Sequence, residues 1–267
     1  MGPLRQARRS GLEGRSGGRP GLGVASRAVP LLPTELVSTL THLGGALVAL
    51  ALTPWLLREG AGEARRQRVL GLFAAAVIVQ LGVSGIYHWQ AMDTAARRVL
   101  QRMDHAAIWL TVVGCFLPVR HFLLPGRFGR ALEVTVVLCA LAGLLIETLF
   151  ANLIPSWVVV LFYVVFGSIG TPVAIWLVAK RGLRWTLPFF LCGISFSSGA
   201  LLELIEEPTL WTGVIGYHEV VHVLVLAGLG LHGAFVVKLT REAKAGAVIG
   251  VAPESETAEE GASVQPA

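Results

Sequence analysis

The chain has 267 residues, a formal net charge of +5, and a composition that is 54% hydrophobic and only 15% charged; its mean hydropathy is +0.67. Soluble domains carry about 25% charged residues, so this chain lacks the polar surface that a soluble fold needs. Its apolar residues form runs close to the ~20 residues that cross a bilayer as an α-helix. Because these runs do not alternate with polar residues, a membrane β-barrel is excluded. We predict an all-α, multi-pass integral protein of the cell membrane.

The N-terminal segment, residues 1–33, holds six Arg and one Glu among many Gly, Ser and Pro. No apolar run closely follows the early arginines, so the segment does not resemble a cleaved signal peptide. We expect a disordered basic tail that can touch anionic lipid headgroups. The pI of about 9.6 comes from this tail and the loops together, so it does not predict binding to nucleic acid.

Seven membrane spans are predicted between residues 34 and 240, which form a seven-transmembrane-helix bundle joined by short loops rich in Arg, Lys, Gly or Pro. The spans cover residues 34–57, 69–91, 104–124, 129–151, 156–179, 185–204 and 218–238. A disordered acidic tail is expected over 241–267. Cys115, Cys139 and Cys192 lie inside spans without a pairing pattern, so we expect buried small residues and no disulfides.

Polar residues inside the spans are the strongest functional signal, since an ionisable group in the bilayer costs several kcal/mol. The chain reverses direction at each span, so odd-numbered spans start at one membrane face, here called face X, and even-numbered spans end there. The opposite face is face Y. Following the chain direction from span to span places Ser84 and His88 of the second span near face X, with Asp104 in the first turn of the third. His218 and His222 lie in the first turns of the seventh span at the same face.

These five residues have the spacing of a metal site. Ser84 and His88, like His218 and His222, are four residues apart, so each pair shares one helical face. Three imidazoles beside a carboxylate suit zinc, and a catalytic zinc site keeps three protein ligands and one open position. We predict His88, His218 and His222 as ligands of Zn²⁺. Asp104 is predicted to accept a proton or orient an imidazole, and Ser84 to position water or stabilise an oxyanion unless it only bonds to a helix carbonyl.

Three stretches carry a resemblance to a known family: "SGIYH" (84–88), "RMDHAAIWLTVVGCFLP" (102–118) and "HEVVHVLVLAGLGLH" (218–232). They resemble the hemolysin III proteins, which belong with the progestin and adipoQ receptors (PAQR) and, more distantly, the alkaline ceramidases. The resemblance covers residues 34–238 and implies that the five residues named above surround zinc. One departure is "VVGCFLP", which lacks the hydroxyls of the family's usual alanine-glycine-threonine-tyrosine-threonine-proline stretch.

The pentapeptide "HEVVH" also has the His-Glu-x-x-His spacing of zinc proteases, in which the Glu would be the general base. A third ligand should then follow downstream. The only later histidine is His232, which does not fit the extended zinc-protease patterns. The chain has only two Asp, Asp93 and Asp104, both upstream and neither followed by Gly. Glu219 also points about 100° away from His218 around the helix, so it need not face the metal. A protease therefore stays as a disfavoured alternative.

Other polar residues are given structural roles or left open. His42 and His232 are expected to make hydrogen bonds in helix packing, and Glu203 to lie in a solvated loop at face X. His105 follows Asp104 but points about 100° away around the helix, so we expect Asp104 to face the site. Glu147 is predicted either as a second functional carboxylate or as a partner of a neighbouring helix.

Three functions fit these features. The first is a zinc-dependent hydrolase of ceramide-like lipid amides or esters, whose substrate enters from the bilayer. The second is a receptor or sensor in which zinc is structural. The third is a cytolysin, which has the least support because the apolar bundle shows no polar stripe to line a channel. The predicted partners are the lipid bilayer and a lipid substrate or ligand, and no nucleic acid.

Two indicators of orientation disagree. Outside the N-terminal tail, face Y carries 13 Lys and Arg residues and face X carries three, and the six tail arginines raise face X to nine. The positive-inside rule then places face Y in the cytoplasm. The resemblance to adipoQ receptors implies the reverse, with the zinc site cytoplasmic, and we favour this arrangement.

Overall fold

A computed structural model describes residues 35–150, 153–212 and 214–247, with the main chain only at residue 156. The predicted tail over 1–33 and most of the tail over 241–267 lie outside the described residues. The described chain is helical, with a single isolated bridge between Trp211 and Ile215. Its helices are α1 (Leu36–Glu59), α2 (Ala64–Trp89), α3 (Ala95–Leu123), α4 (Gly126–Leu149), α5 (Ser156–Gly167), α6 (Gly170–Arg181), α7 (Leu183–Ile205) and α8 (Tyr217–Lys244).

Within the described part of the chain, seven helical segments are long and apolar enough to cross a membrane. The fifth, Trp157–Arg181, contains α6 and all of α5 except its first residue. The prediction of an all-α, seven-span membrane protein is therefore confirmed. Large apolar side chains such as Leu47, Leu138 and Ile175 are exposed on the outer faces of their helices, as expected where helices meet lipid.

The fifth span was predicted as one continuous helix, and the structure interrupts it at Ser168. The Ser168 amide donates to the Val164 carbonyl at 2.9 Å, and the Thr171 amide donates to the Ser168 carbonyl at 2.9 Å. The main chain thus keeps its hydrogen bonds through the break, which is the condition for irregular backbone inside a bilayer. Hydropathy does not report such a break, because the apolar run continues across it.

The third helix starts nine residues earlier than the predicted span, which changes the position of Asp104. Thr94 caps α3, because its Oγ1 accepts a hydrogen bond from the Arg97 amide at 3.1 Å. Helix α3 therefore begins before its apolar part, and its polar first turns lie outside the predicted membrane span. Asp104 lies almost three turns into α3, whereas the sequence prediction placed it in the first turn.

The last helix, α8, is central to the bundle and packs against α7, α1 and α3. One apolar cluster joins α1, α2 and α8 and contains Phe73 and Val236. A second joins α3, α6 and α8 and contains Leu123, Leu177 and Phe235. Both clusters hold α8 along its length, so its first turns have a fixed position at face X.

The helix ends at face Y are linked by ion pairs. Arg241 of α8 bonds to Glu59 of α1 with a shortest distance of 2.7 Å, and Arg181 of α6 bonds to Glu242 of α8 at 3.2 Å. Ion pairs at a water-exposed surface stabilise a fold only weakly. These ion pairs fix the position of α8 relative to α1 and α6 at the membrane face opposite the predicted metal site.

Helices α3 and α4 approach closely where Gly143 faces the buried ring of Trp109, and a Cβ at this glycine would overlap the indole. We expect Gly143→Ala to destabilise the protein by about 1–3 kcal/mol through overpacking, seen as a lower Tm in detergent. Gly82→Ala is the control, because a Cβ there meets no atom within 4 Å. A Tm for Gly143→Ala equal to that of the control would contradict the close packing.

Candidate metal centre

Three histidines meet where α2 ends and α8 begins, at face X. His222 Nε2 lies 3.1 Å from His218 Nε2, and His218 Nε2 lies 3.4 Å from His88 Nε2. One ligand atom from each ring lies within 4.8 Å of the other two. His88 and His222 are buried, whereas the His218 side chain is 36% exposed. The group is therefore closed on two sides and open beside His218.

Carboxylates orient two of the three rings. Glu35, which immediately precedes α1, bonds to His88 Nδ1, and Glu203 of α7 lies 3.2 Å from His218 Nδ1. A neutral imidazole that donates through Nδ1 keeps its lone pair on Nε2. The Nε2 atoms of His88 and His218 then face each other as acceptors, an arrangement that a cation between them stabilises. Metal-binding histidines usually have such a carboxylate or carbonyl on the other nitrogen.

The spacing of the three nitrogens also fits a metal ion. Tetrahedral zinc with Zn–N bonds of 2.0–2.1 Å separates its nitrogen ligands by about 3.3 Å, close to the 3.1 and 3.4 Å observed. The donor set and its spacing together mean that His88, His218 and His222 could hold a metal ion.

Asp104 and Ser84 are beside these histidines, inward from face X. Both side chains are buried, and Gln80 Nε2 lies 3.4 Å from Asp104 Oδ1. Ser84, His88 and His218 are all close enough to Asp104 to interact with its carboxylate. The structure thus brings together all five residues that the sequence analysis selected.

The structure gives Glu219, the residue inside "HEVVH", another role. Its Oε2 accepts a hydrogen bond from the Gly216 amide at 2.8 Å, and its Oε1 accepts one from the Ser38 hydroxyl at 3.1 Å. Glu219 therefore caps the start of α8 and links it to α1. Both oxygens are used in these contacts, which argues against a role as the base of a zinc protease.

Arg97 holds Glu35 against His88. Its Nη2 lies 2.9 Å from both Glu35 oxygens, and its Nη1 donates to the Gln90 carbonyl at 3.0 Å. Burial acts to raise the pKa of Glu35, but the hydrogen bonds from His88 and Arg97 outweigh burial and lower this pKa to about 2. Glu35 is therefore ionised at neutral pH and linked to α2 and α3 before α1 enters the membrane.

The sequence analysis missed the two orienting carboxylates. Glu203 was predicted in a solvated loop, but it lies within α7, two residues before the helix ends, and contacts His218. Glu35 was not singled out. The sequence did contain a signal for both carboxylates. The chain direction that places the histidines at face X also places the start of the first span, next to Glu35, and the end of the sixth span, next to Glu203, at that face.

The family model of haemolysin-III related proteins matches residues 31–233 of the 267-residue chain. The chain belongs to the haemolysin-III related family. The matched range contains the three histidines, Ser84 and Asp104, together with Glu35 and Glu203. The family resemblance seen in the sequence is thereby confirmed.

Two further histidines of the haemolysin-III related bundle, His42 and His232, pack between helices. His232 Nε2 lies 3.0 Å from the Cys115 carbonyl, which links α8 to α3. His42 of α1 stacks on the ring of His222, with centroids 3.8 Å apart and an interplanar angle of 23°. Neither ring nitrogen of His42 has a hydrogen-bond partner among the described residues, so the hydrogen bond predicted for His42 is not formed and the residue packs by stacking on a predicted ligand. All three cysteines are free; Cys192 is buried as predicted, whereas Cys115 and Cys139 are partly exposed.

Removing one histidine should release the metal. We expect the purified protein to contain close to one zinc per chain and His88→Ala to contain much less, measured by mass spectrometry. The loss in affinity should exceed the ~10–100-fold typical of orienting residues. The control is His121→Ala, because His121 lies in α3 near face Y, 3.7 Å from Glu63. Equal zinc in both variants would contradict a site shared by α2 and α8.

Glu35→Gln should weaken zinc binding by about 10–100-fold, because the amide orients His88 less strongly and cannot attract the metal's charge. Competition with a chelator measures this affinity. Glu63→Gln is a matched control, since Glu63 also precedes a helix and pairs with an arginine, Arg66, at 2.8 Å. An unchanged zinc affinity in Glu35→Gln would show that the carboxylate does not orient the ligand.

Proposed function

We propose that this haemolysin-III related protein is a zinc-dependent hydrolase of membrane lipids with a ceramide-like amide or ester bond. The observation that carries the proposal is the position of Ser84 and Asp104 beside a three-histidine group that is open at His218. A metal held only for stability needs neither a neighbouring carboxylate nor an opening. A hydrolase needs both, because water and substrate must reach the metal and a proton must be accepted.

The residues of the chain can be assigned separate tasks. Bound zinc would polarise the substrate carbonyl and activate water for attack. Asp104 accepts the proton that the attacking water loses, and Gln80 holds the carboxylate in place through its contact with Oδ1. The Ser84 hydroxyl donates a hydrogen bond to the oxygen of the substrate carbonyl as negative charge develops there. Glu35 and Glu203 keep two imidazoles in the correct orientation.

A lipid substrate is supported by the surface next to the site. An apolar groove lies between α5 and α7, lined in part by Trp157, Leu161, Leu201 and Leu204. Leu204 directly follows Glu203, which contacts His218. An acyl chain lying in this groove from the bilayer would bring its polar end to the open side of the metal site.

The test is hydrolysis of an N-acyl amide of the ceramide type by the zinc-loaded protein. We expect Asp104→Asn and Ser84→Ala to lower kcat by about 10²–10⁴-fold while the zinc content stays unchanged. Ser195→Ala is the control, since Ser195 lies on α7 and its hydroxyl donates to the Leu191 carbonyl of the same helix at 2.9 Å. A wild-type protein that retains zinc but cleaves neither amide nor ester would refute the hydrolase and favour a receptor with structural zinc.

A further inference from the structure

A further carboxylate–imidazole pair lies inside the bundle, separate from the three clustered histidines. Glu147 of α4 has a side chain that is only 4% exposed, and its Oε2 lies 3.3 Å from His105 Nδ1. Its other oxygen, Oε1, accepts a hydrogen bond from the Tyr163 hydroxyl at 2.8 Å. Both oxygens of the carboxylate are therefore engaged, one by α3 and one by α5.

The two members of the pair differ in exposure. The His105 side chain is 42% exposed, about ten times the exposed fraction of Glu147. Since Nδ1 is directed at the carboxylate, the ring edge that carries Nε2 is turned away from Glu147. A pair that served only to join helices would gain by burying both partners. A buried carboxylate behind an accessible imidazole is instead the arrangement that orients a histidine for proton transfer.

The surroundings keep the pair rigid. Trp109, one turn after His105, is buried and lies 5.1 Å from the Tyr163 ring between centroids. Gly143, one turn before Glu147, allows α4 to approach this indole. The close contact between α3 and α4 therefore determines the separation of His105 from Glu147.

The pair also borders the metal site. His105 directly follows Asp104, and the charged groups that interact with it come from three helices: Asp104 on α3, Glu147 on α4 and Glu203 on α7. Glu203 in turn contacts His218. His105, Glu203 and His218 are all partly exposed, and because Glu203 interacts with both histidines, His105 lies near the open side of the predicted metal site.

We propose that His105 is the acid that protonates the leaving group in the lipid hydrolysis, oriented by Glu147. This inference rests on the proposed hydrolase function. Water adds its hydroxyl to the carbonyl carbon and its proton passes to Asp104. The C–N bond of the amide then breaks, and the nitrogen takes a proton from Nε2 of the protonated His105, whose charge Glu147 compensates. Transfer of the proton from Asp104 to the adjacent His105 restores both groups, so one water is consumed.

Whether the reaction needs an acid depends on the leaving group, so two substrates with different leaving groups test the role of His105. An amide nitrogen leaves only with a proton, whereas a nitrophenolate leaves without one. We compare an N-acyl amide and a nitrophenyl ester with the same acyl chain. His105→Gln should lower kcat for the amide by about 10²–10³-fold and for the ester by less than about 10-fold. Glu147→Gln should show the same selectivity with a smaller loss, and His121→Gln should change neither rate.

The outcomes separate this inference from the function on which it rests. Equal losses for amide and ester in His105→Gln, with zinc content unchanged, would assign His105 a structural role, and no loss would exclude it from the reaction. A wild-type protein that cleaves neither substrate refutes the hydrolase itself. Histidine ¹⁵N NMR adds a readout without substrate: wild-type His105 should donate through Nδ1, and Glu147→Gln should lose this signature. A wild-type His105 without that bond would overturn the proposal.

Discussion

The structure depends on one constraint: an ionised side chain within a membrane bundle must have a partner. Three buried or half-buried carboxylates meet this requirement with imidazoles, in the pairs Glu35–His88, Glu203–His218 and Glu147–His105. Each pair joins two different segments of the chain. The same contacts that provide these carboxylates with partners therefore also determine how the imidazoles point, and with them the geometry of the candidate site.

The helix ends at the two faces have different tasks. At face Y, ion pairs between long side chains, such as Arg241 with Glu59, hold the helices together at the water interface. At face X, the ends of α2 and α7 and the starts of α1 and α8 present short polar side chains to each other. A site built on helix ends that are packed by two apolar clusters is more rigid than a site on loops, which suits a metal centre.

The family membership and the geometry of the three histidines provide two different kinds of evidence about the protein. The match over residues 31–233 identifies the kind of membrane protein, and the converging Nε2 atoms show that His88, His218 and His222 could hold a metal. The hydrolase proposal adds Asp104 and Ser84, and the inference about His105 adds a proton donor next to Asp104 in the chain. Together they describe a site with one group for each proton that hydrolysis of an amide must move.

By itself, the sequence determined the seven spans, the family and the choice of five residues that lie close together, although not the depth of Asp104 in its helix, because hydropathy, four-residue spacing and chain direction are local or additive properties. It did not determine the roles of the carboxylates. Glu219 has the spacing of a protease base but caps α8, while Glu203 and Glu35, which no motif marks, orient the histidines. The break at Ser168 and the early start of α3 were also invisible to hydropathy. Only the tertiary structure decided these points, because they depend on which helices lie side by side, and a hydrogen bond between distant residues leaves no pattern along one chain.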